Sequence, residues 1–143
     1  MKFRFRDKIT LNSALEELSK VETYFDQLLK KELIPAEIYG NVMVATTEAI
    51  LNAINHGNQN DTEKTLHFYA KSDDKTLSIK VVDQGKGFDH SALPCPTNTE
   101  NLENLSGRGI FIIRTLADQV TFKNHGSTII LEFSLYTNEL VEA

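Results

Sequence analysis

Two side chains with chemistry to offer, Glu48 and Asn52, stand one helical turn apart in the run Thr47-Glu48-Ala49-Ile50-Leu51-Asn52-Ala53-Ile54-Asn55-His56-Gly57-Asn58. Alanines and straight apolar residues make this the second half of a helix that begins near Pro35, and Gly57 supplies its stop. At about 100° per residue, Asn41, Glu48, Asn52 and Asn55 share one face, while Val42, Met43, Ile50, Ala53 and Ile54 cover the opposite one. A carboxylate placed there can accept a proton or orient a hydroxyl, and an amide oxygen is a hard ligand suited to Mg²⁺. A plain solvated face is the competing reading, although Lys and Glu are the commoner choices for one.

Two glycine motifs lie downstream. In Asp83-Gln84-Gly85-Lys86-Gly87 a strand ends and a loop leaves the sheet. The Asp can accept a hydrogen bond from an exocyclic amine, and the glycines let a ligand approach the backbone. A tight turn capped by Asp would look the same. Gly107-Arg108-Gly109 opens a helix, where unpaired amides and the helix dipole attract anions. Between the motifs, residues 89–106 hold two prolines and little apolar periodicity, the pattern of a lid that closes over a phosphate chain.

The elements that must position these groups follow from periodicity. Phe3 and Phe5 alternate with basic residues, as in a half-buried strand. Ser13-Ala14-Leu15-Glu16 reads as a capping box opening a helix whose stripe is Ala14, Leu15, Leu18, Val21, Phe25, Leu28 and Leu29. Pro35 ends that helix at about Ile34 and suits the first turn of the next. After the polar loop Asn58-Gln59-Asn60-Asp61, Leu66, Phe68 and Ala70 alternate in one strand and Leu77, Ile79 and Val81 in another. Ser72-Asp73-Asp74-Lys75 joins them as an antiparallel hairpin. A helix with Ile110, Phe111, Ile113 and Leu116 precedes two closing strands, joined by Asn124-His125-Gly126-Ser127. The order predicts an α+β two-layer sandwich, with helices on one face of a mostly antiparallel sheet.

Composition narrows the function classes. A chain of 143 residues is expected to form one domain over 1–143, with a core of its own. Twenty acidic against fifteen basic residues give a charge of −5, which argues against nucleic acid or an anionic membrane as the main partner. No apolar run reaches bilayer length, the start is no signal peptide, and the lone Cys95 excludes an internal disulfide, so a cytoplasmic protein is expected. Cys95, flanked by Pro94 and Pro96, reads as a spectator thiol. His67, His90 and His125 show no metal-ligand spacing, and His56 either contacts a ligand or packs on the sheet.

The ordered set Glu48-x-x-x-Asn52, Asp83-x-Gly85-x-Gly87 and Gly107-x-Gly109 resembles the N, G1 and G2 boxes of the GHKL ATPase superfamily. Its Bergerat fold is a two-layer sandwich, a mostly antiparallel mixed sheet carrying three main helices on one face. The resemblance spans residues 3–135, and Ser127-Thr128 is similar to that family's last nucleotide-contacting element. Within the superfamily, the run from Glu48 to Gly57 and Gly107-Arg108-Gly109-Ile110-Phe111 are similar to the RsbW-like anti-sigma factor serine kinases.

The resemblance implies ATP and Mg²⁺ as cofactors, with Asn52 as metal ligand and Glu48 as the catalytic carboxylate. It implies nucleotide contacts from Asn52, Asn55, Asp83, Gly85, Gly87, Gly107, Arg108, Gly109, Ile110 and Thr128, with Asp83 reading the adenine amine. Arg108 either meets the γ-phosphate or points to solvent, and Lys86 shares that ambiguity. The implied partners are a STAS-type anti-anti-sigma protein, phosphorylated on Ser or Thr, and a sigma factor, with the chain as a homodimer. Two alternatives stay open: a nucleotide-gated binding module without kinase activity, and a histidine-kinase-type catalytic domain acting in trans. The first has no need of Glu48. The second would be expected to bring a dimerising hairpin with a phosphoacceptor histidine.

Overall fold

The computed structural model describes residues 4–85 and 105–135. Strand β1 (Phe5–Asn12) leads through a 3-10 turn (Leu15–Glu17) into helix α1 (Leu18–Lys30), then α2 (Ala36–Asn52) and a π-helical turn (Ala53–Gly57). Strands β2 (Thr65–Ser72) and β3 (Thr76–Val82), helix α3 (Leu105–Leu116), and strands β4 (Gln119–Lys123) and β5 (Thr128–Ser134) complete the order. The sheet runs β1-β2-β3-β5-β4 with every neighbouring pair antiparallel. The α+β two-layer architecture expected from the sequence is the one found.

The core lies between helices and sheet. Leu66, Phe68 and Ala70 from β2, Leu77, Ile79 and Val81 from β3, and Ile129, Leu131 and Phe133 from β5 are all buried. Val21, Phe25 and Leu28 of α1 pack against them, with Val42, Ala45, Ala49 and Ile50 of α2 and Ile110 and Ile113 of α3. Edge-to-face contacts join Phe25 to Phe68 and Tyr24 to both, at centroid distances of 5.6–5.7 Å. The β2–β3 hairpin is closed by Asp73, whose Oδ1 accepts the N–H groups of Lys75 (2.7 Å) and Thr76 (2.8 Å). Those backbone bonds hold its carboxyl below the usual range.

Four local expectations are corrected. Strand β1 continues to Asn12, because Ile9 and Leu11 prolong the alternation begun at Phe5. The capping box does not form: Ser13 is buried with its Oγ unpartnered, and Glu17 instead accepts the Asn12 N–H at 2.9 Å. Leu15 accordingly lies off the core, 57% exposed. Helix α1 stops at Lys30, not near Ile34, as Glu32 turns to a left-handed φ of 58°. Pro35 then serves as the N-cap of α2.

Candidate functional site

Helix α2 delivers its polar residues as the pattern predicts, with Val42, Ala49 and Ile50 buried on the face away from them. At Asn52 the helix widens. The Asn58 N–H donates to the Ala53 carbonyl at 2.7 Å, a span of five residues, and Asn60 N–H reaches Ile54 O at 2.8 Å. π turns of this kind recur at functional sites because they re-aim the side chains that follow. Here the widened turn puts His56 beside Asn52 and Asn55. A single cavity of about 240 Å³ is lined by Glu48, Leu51, Asn52, Asn55, His56, Arg108, Gly109 and Ile112.

The far wall of that cavity is α3, which starts at Leu105, two residues ahead of the expected opening at Gly107. The first-turn amides, which have no partner within the helix, therefore include that of Gly107. The N–H of Gly109, the fifth residue, belongs to the intrahelical ladder. Gly109 also lies close under Glu48: a Cβ on it would be 3.1 Å from Glu48 Oε2, so a side chain there would press on the carboxylate. Arg108 is exposed and lines the cavity, a placement compatible with both of its readings. Ile110 is buried in the core.

Asp83 follows β3 directly and lies at the other end of the π turn. Its N–H donates to Ser127 O at 2.9 Å, and its Oδ1 accepts the Gly85 N–H at 2.7 Å. Burial pushes the carboxyl above its ordinary value, partly offset by the Gly85 bond. Gly57 and Gly85 pack around it so closely that neither has room for a side chain. A methyl on Gly57 would overlap the Asp83 carboxylate, and one on Gly85 would overlap the Gly57 carbonyl.

Thr128 stands across from the end of β3, one residue from the Asp83 pairing. It pairs with Val82, and pleat alternation puts it on the face of Ile130, opposite that of Ile129. It is buried and takes a 3.3 Å hydrogen bond from Asn124 Nδ2. The residue whose carbonyl meets the Asp83 N–H is Ser127, immediately before β5. Gly87, Lys86, His90 and Cys95 lie outside the described residues, as does the lid expected over 89–106 except its last two residues, which belong to α3.

Sequence reasoning missed three residues of this neighbourhood. Gly57 was legible only as a helix stop, and Asn58 only as part of a polar loop, yet Asn58 is fully buried. Gln84 counted as a spacer inside a motif, although its side chain binds the start of β2. The available signal was the glycine pair, Gly57 and Gly85, since two elements that each require glycine can approach one another at backbone distance.

The profile of the histidine kinase-like ATPase domain matches residues 11–133. The chain belongs to that family. It is 31% identical over 103 residues to an anti-sigma F factor of Clostridium perfringens (strain SM101), an alignment covering 68% of this chain and 73% of the relative. Over 110 residues it is 26% identical to the serine-protein kinase RsbW of Bacillus subtilis, covering 71% and 68% of the two. In three dimensions it resembles the crystal structure of the RsbU and RsbW domains of Rv1364c from Mycobacterium tuberculosis, with TM-score 0.61 at 14% identity. That likeness covers 91% of this chain but 32% of the larger one, and it carries the fold alone. The expected resemblance to GHKL ATPases of the anti-sigma and RsbW type is thereby met. No helix among the described residues is long and apolar enough to cross a membrane.

Proposed function

We propose that this chain is an ATP- and Mg²⁺-dependent serine/threonine protein kinase of the partner-switching type. It holds a sigma factor and phosphorylates a STAS-type antagonist of that complex. The observation that carries the reading is the single cavity on which Glu48, Asn52 and Arg108 converge from two helices. The names of the anti-sigma F factor and RsbW relatives supply the partner class.

The residues fit Mg²⁺ by the chemistry of their donors. No cluster of three His, Cys, Asp or Glu able to cage a metal occurs among the described residues. Mg²⁺ is commonly held instead by one or two protein oxygens together with substrate phosphates. Asn52, with the Glu48 carboxylate one turn away, is such a partial set. When bound, the ion would neutralise charge on the phosphates.

Glu48 then accepts the proton of the incoming serine or threonine hydroxyl. The hydroxyl oxygen bonds to the γ-phosphorus as the bond to the β–γ bridging oxygen breaks, and ADP leaves with that electron pair. Arg108 faces the same space as a charge partner for the transferring group. At the base end, the Asp83 carboxylate accepts from the adenine amine in a half-buried site, where an unpaired acceptor is costly.

The test is transfer from γ-labelled ATP to a panel of STAS-type proteins, beside an equilibrium titration with a non-hydrolysable analogue. Transfer to one cognate protein is expected. Binding without transfer to any would replace the kinase with the nucleotide-gated binding module.

A further inference from the structure

Asn58 is fully buried although it follows a glycine in a run of polar residues. Both ends of its amide are engaged, and with main chain. Its Oδ1 accepts the Gln84 N–H at 2.8 Å, and its Nδ2 donates to the Thr65 carbonyl at 3.1 Å. Gln84 closes the ring, its Oε1 accepting the Thr65 N–H at 2.8 Å. Three elements meet in this ring: the end of the π turn, the first residue of β2 and the residue after Asp83.

The Gln84 N–H belongs to the peptide plane that links Gln84 to Asp83. Fixing that plane fixes where the Asp83 side chain sets out from the backbone, and the Gly85 N–H then holds its Oδ1. Asn58 also anchors the chain at Gly57, whose Cα covers the Asp83 carboxylate so closely that no side chain fits between them. One buried amide thus sets both the base and the cover of the same carboxylate.

We infer that Asn58, closed into a ring with Gln84 and Thr65, is the positioning residue that aims the Asp83 carboxylate and so sets preference for a purine bearing an exocyclic amine. The inference rests on the reading of Asp83 as the acceptor for adenine. Asn58 touches no nucleotide. It acts by making the acceptor's position independent of whether ligand is bound, so that binding does not have to order it.

The experiment compares ATP with inosine triphosphate, which carries a carbonyl where ATP carries the amine. Dissociation constants are measured for wild type, Asn58→Asp and Gln84→Ala well below the thermal midpoint of each. Wild type is expected to favour ATP by about tenfold or more, the effect of a charged hydrogen bond that the analogue cannot make. Asn58→Asp keeps the shape but sets an oxygen against the Thr65 carbonyl. It is expected to lose about tenfold for ATP and nothing for the inosine nucleotide, so the preference collapses.

Gln84→Ala removes one exposed side chain from the ring and is expected to lower the preference about threefold. A role in folding alone would weaken both nucleotides equally and leave their ratio intact, which overturns the assignment. Should Asn58→Asp fail to fold, an unchanged ratio in Gln84→Ala overturns it equally. Equal affinity of wild type for both nucleotides sinks the adenine reading of Asp83 itself, a distinguishable failure that removes the proposal with it.

Discussion

The two ends of the site are built in opposite ways. Around Asp83 the described groups are tightly packed: two glycines meet at backbone distance, and a fully buried amide ties three elements together. Around Glu48 the walls stand apart, enclosing about 240 Å³, and Asn55, His56 and Arg108 are exposed. The first arrangement suits recognition, where ordering a ligand's partner beforehand saves free energy on binding. The second suits a reaction in which a metal, a phosphate chain and a second protein's hydroxyl must all be admitted. Damage at the two ends should therefore differ in kind. Changes near Asp83 should alter affinity, and changes near Glu48 should alter rate.

The largest effect is expected at Glu48. General-base groups typically contribute about 10²–10⁴-fold, or roughly 3–5 kcal/mol of barrier. Glu48→Gln should bind Mg·ATP within about threefold of wild type yet transfer phosphate at least about a hundredfold more slowly. Single-turnover transfer beside an analogue titration measures both quantities. Equal rates for the variant and wild type would erase the difference between the two ends.

Next is Gly57→Ala, which meets Asp83 with a methyl where there is no space. The carboxylate is the more yielding partner, so it should swing away and leave the adenine amine without its acceptor. A loss of about 2 kcal/mol in ATP affinity, roughly thirtyfold, is expected, with little change in the transfer rate at saturating nucleotide. Calorimetry gives the affinity. A fall in rate with affinity intact would show that the ends are not separate. Asp83→Asn should weaken ATP by about tenfold, because the amide keeps an oxygen but loses the charge.

Much of this contrast was legible before any coordinates. The apolar face of α2 and the alternation in β2, β3 and β5 carry strong periods, so the helix-on-sheet layering and the positions of Glu48, Asn52 and Asp83 follow from local pattern. What pattern cannot reach is burial decided by distant chain. Asn58 looks like loop because its neighbours are polar. It is buried because Thr65 and Gln84, seven and twenty-six residues away, each offer its amide a main-chain partner. The face that Thr128 occupies is likewise beyond local pattern: it is set by register with β3, and a shift of one residue exchanges the faces. Gly109 adds a contact that the glycine motif does not reveal, its close approach to the Glu48 carboxylate.

The smallest expected effect separates charge from shape at Asp83, and it has opposite signs for stability and binding. Burial raises this carboxyl above its ordinary value of 3.8. With the folded value above the unfolded one, both states are charged at neutral pH and the native state bears the desolvation cost. As pH falls through the raised folded value, the native state takes up the proton first, so stability rises and levels off below the unfolded value. Because the group is only half-buried, solvent screening should keep this gain below about 1 kcal/mol. ATP binding should move the other way, since a protonated carboxyl loses acceptor strength towards the amine. Other carboxylates titrate in the same range, so the quantity to follow is the difference between wild type and Asp83→Asn, which has no charge to lose. Denaturant melts should show wild type gaining on the variant as pH is lowered, while calorimetry shows its advantage in ATP affinity shrinking over the same interval. Both differences staying flat with pH would mean that the Asp83 carboxylate is neither buried enough nor close enough to adenine to matter, and the recognition end of the site would have to be sought elsewhere.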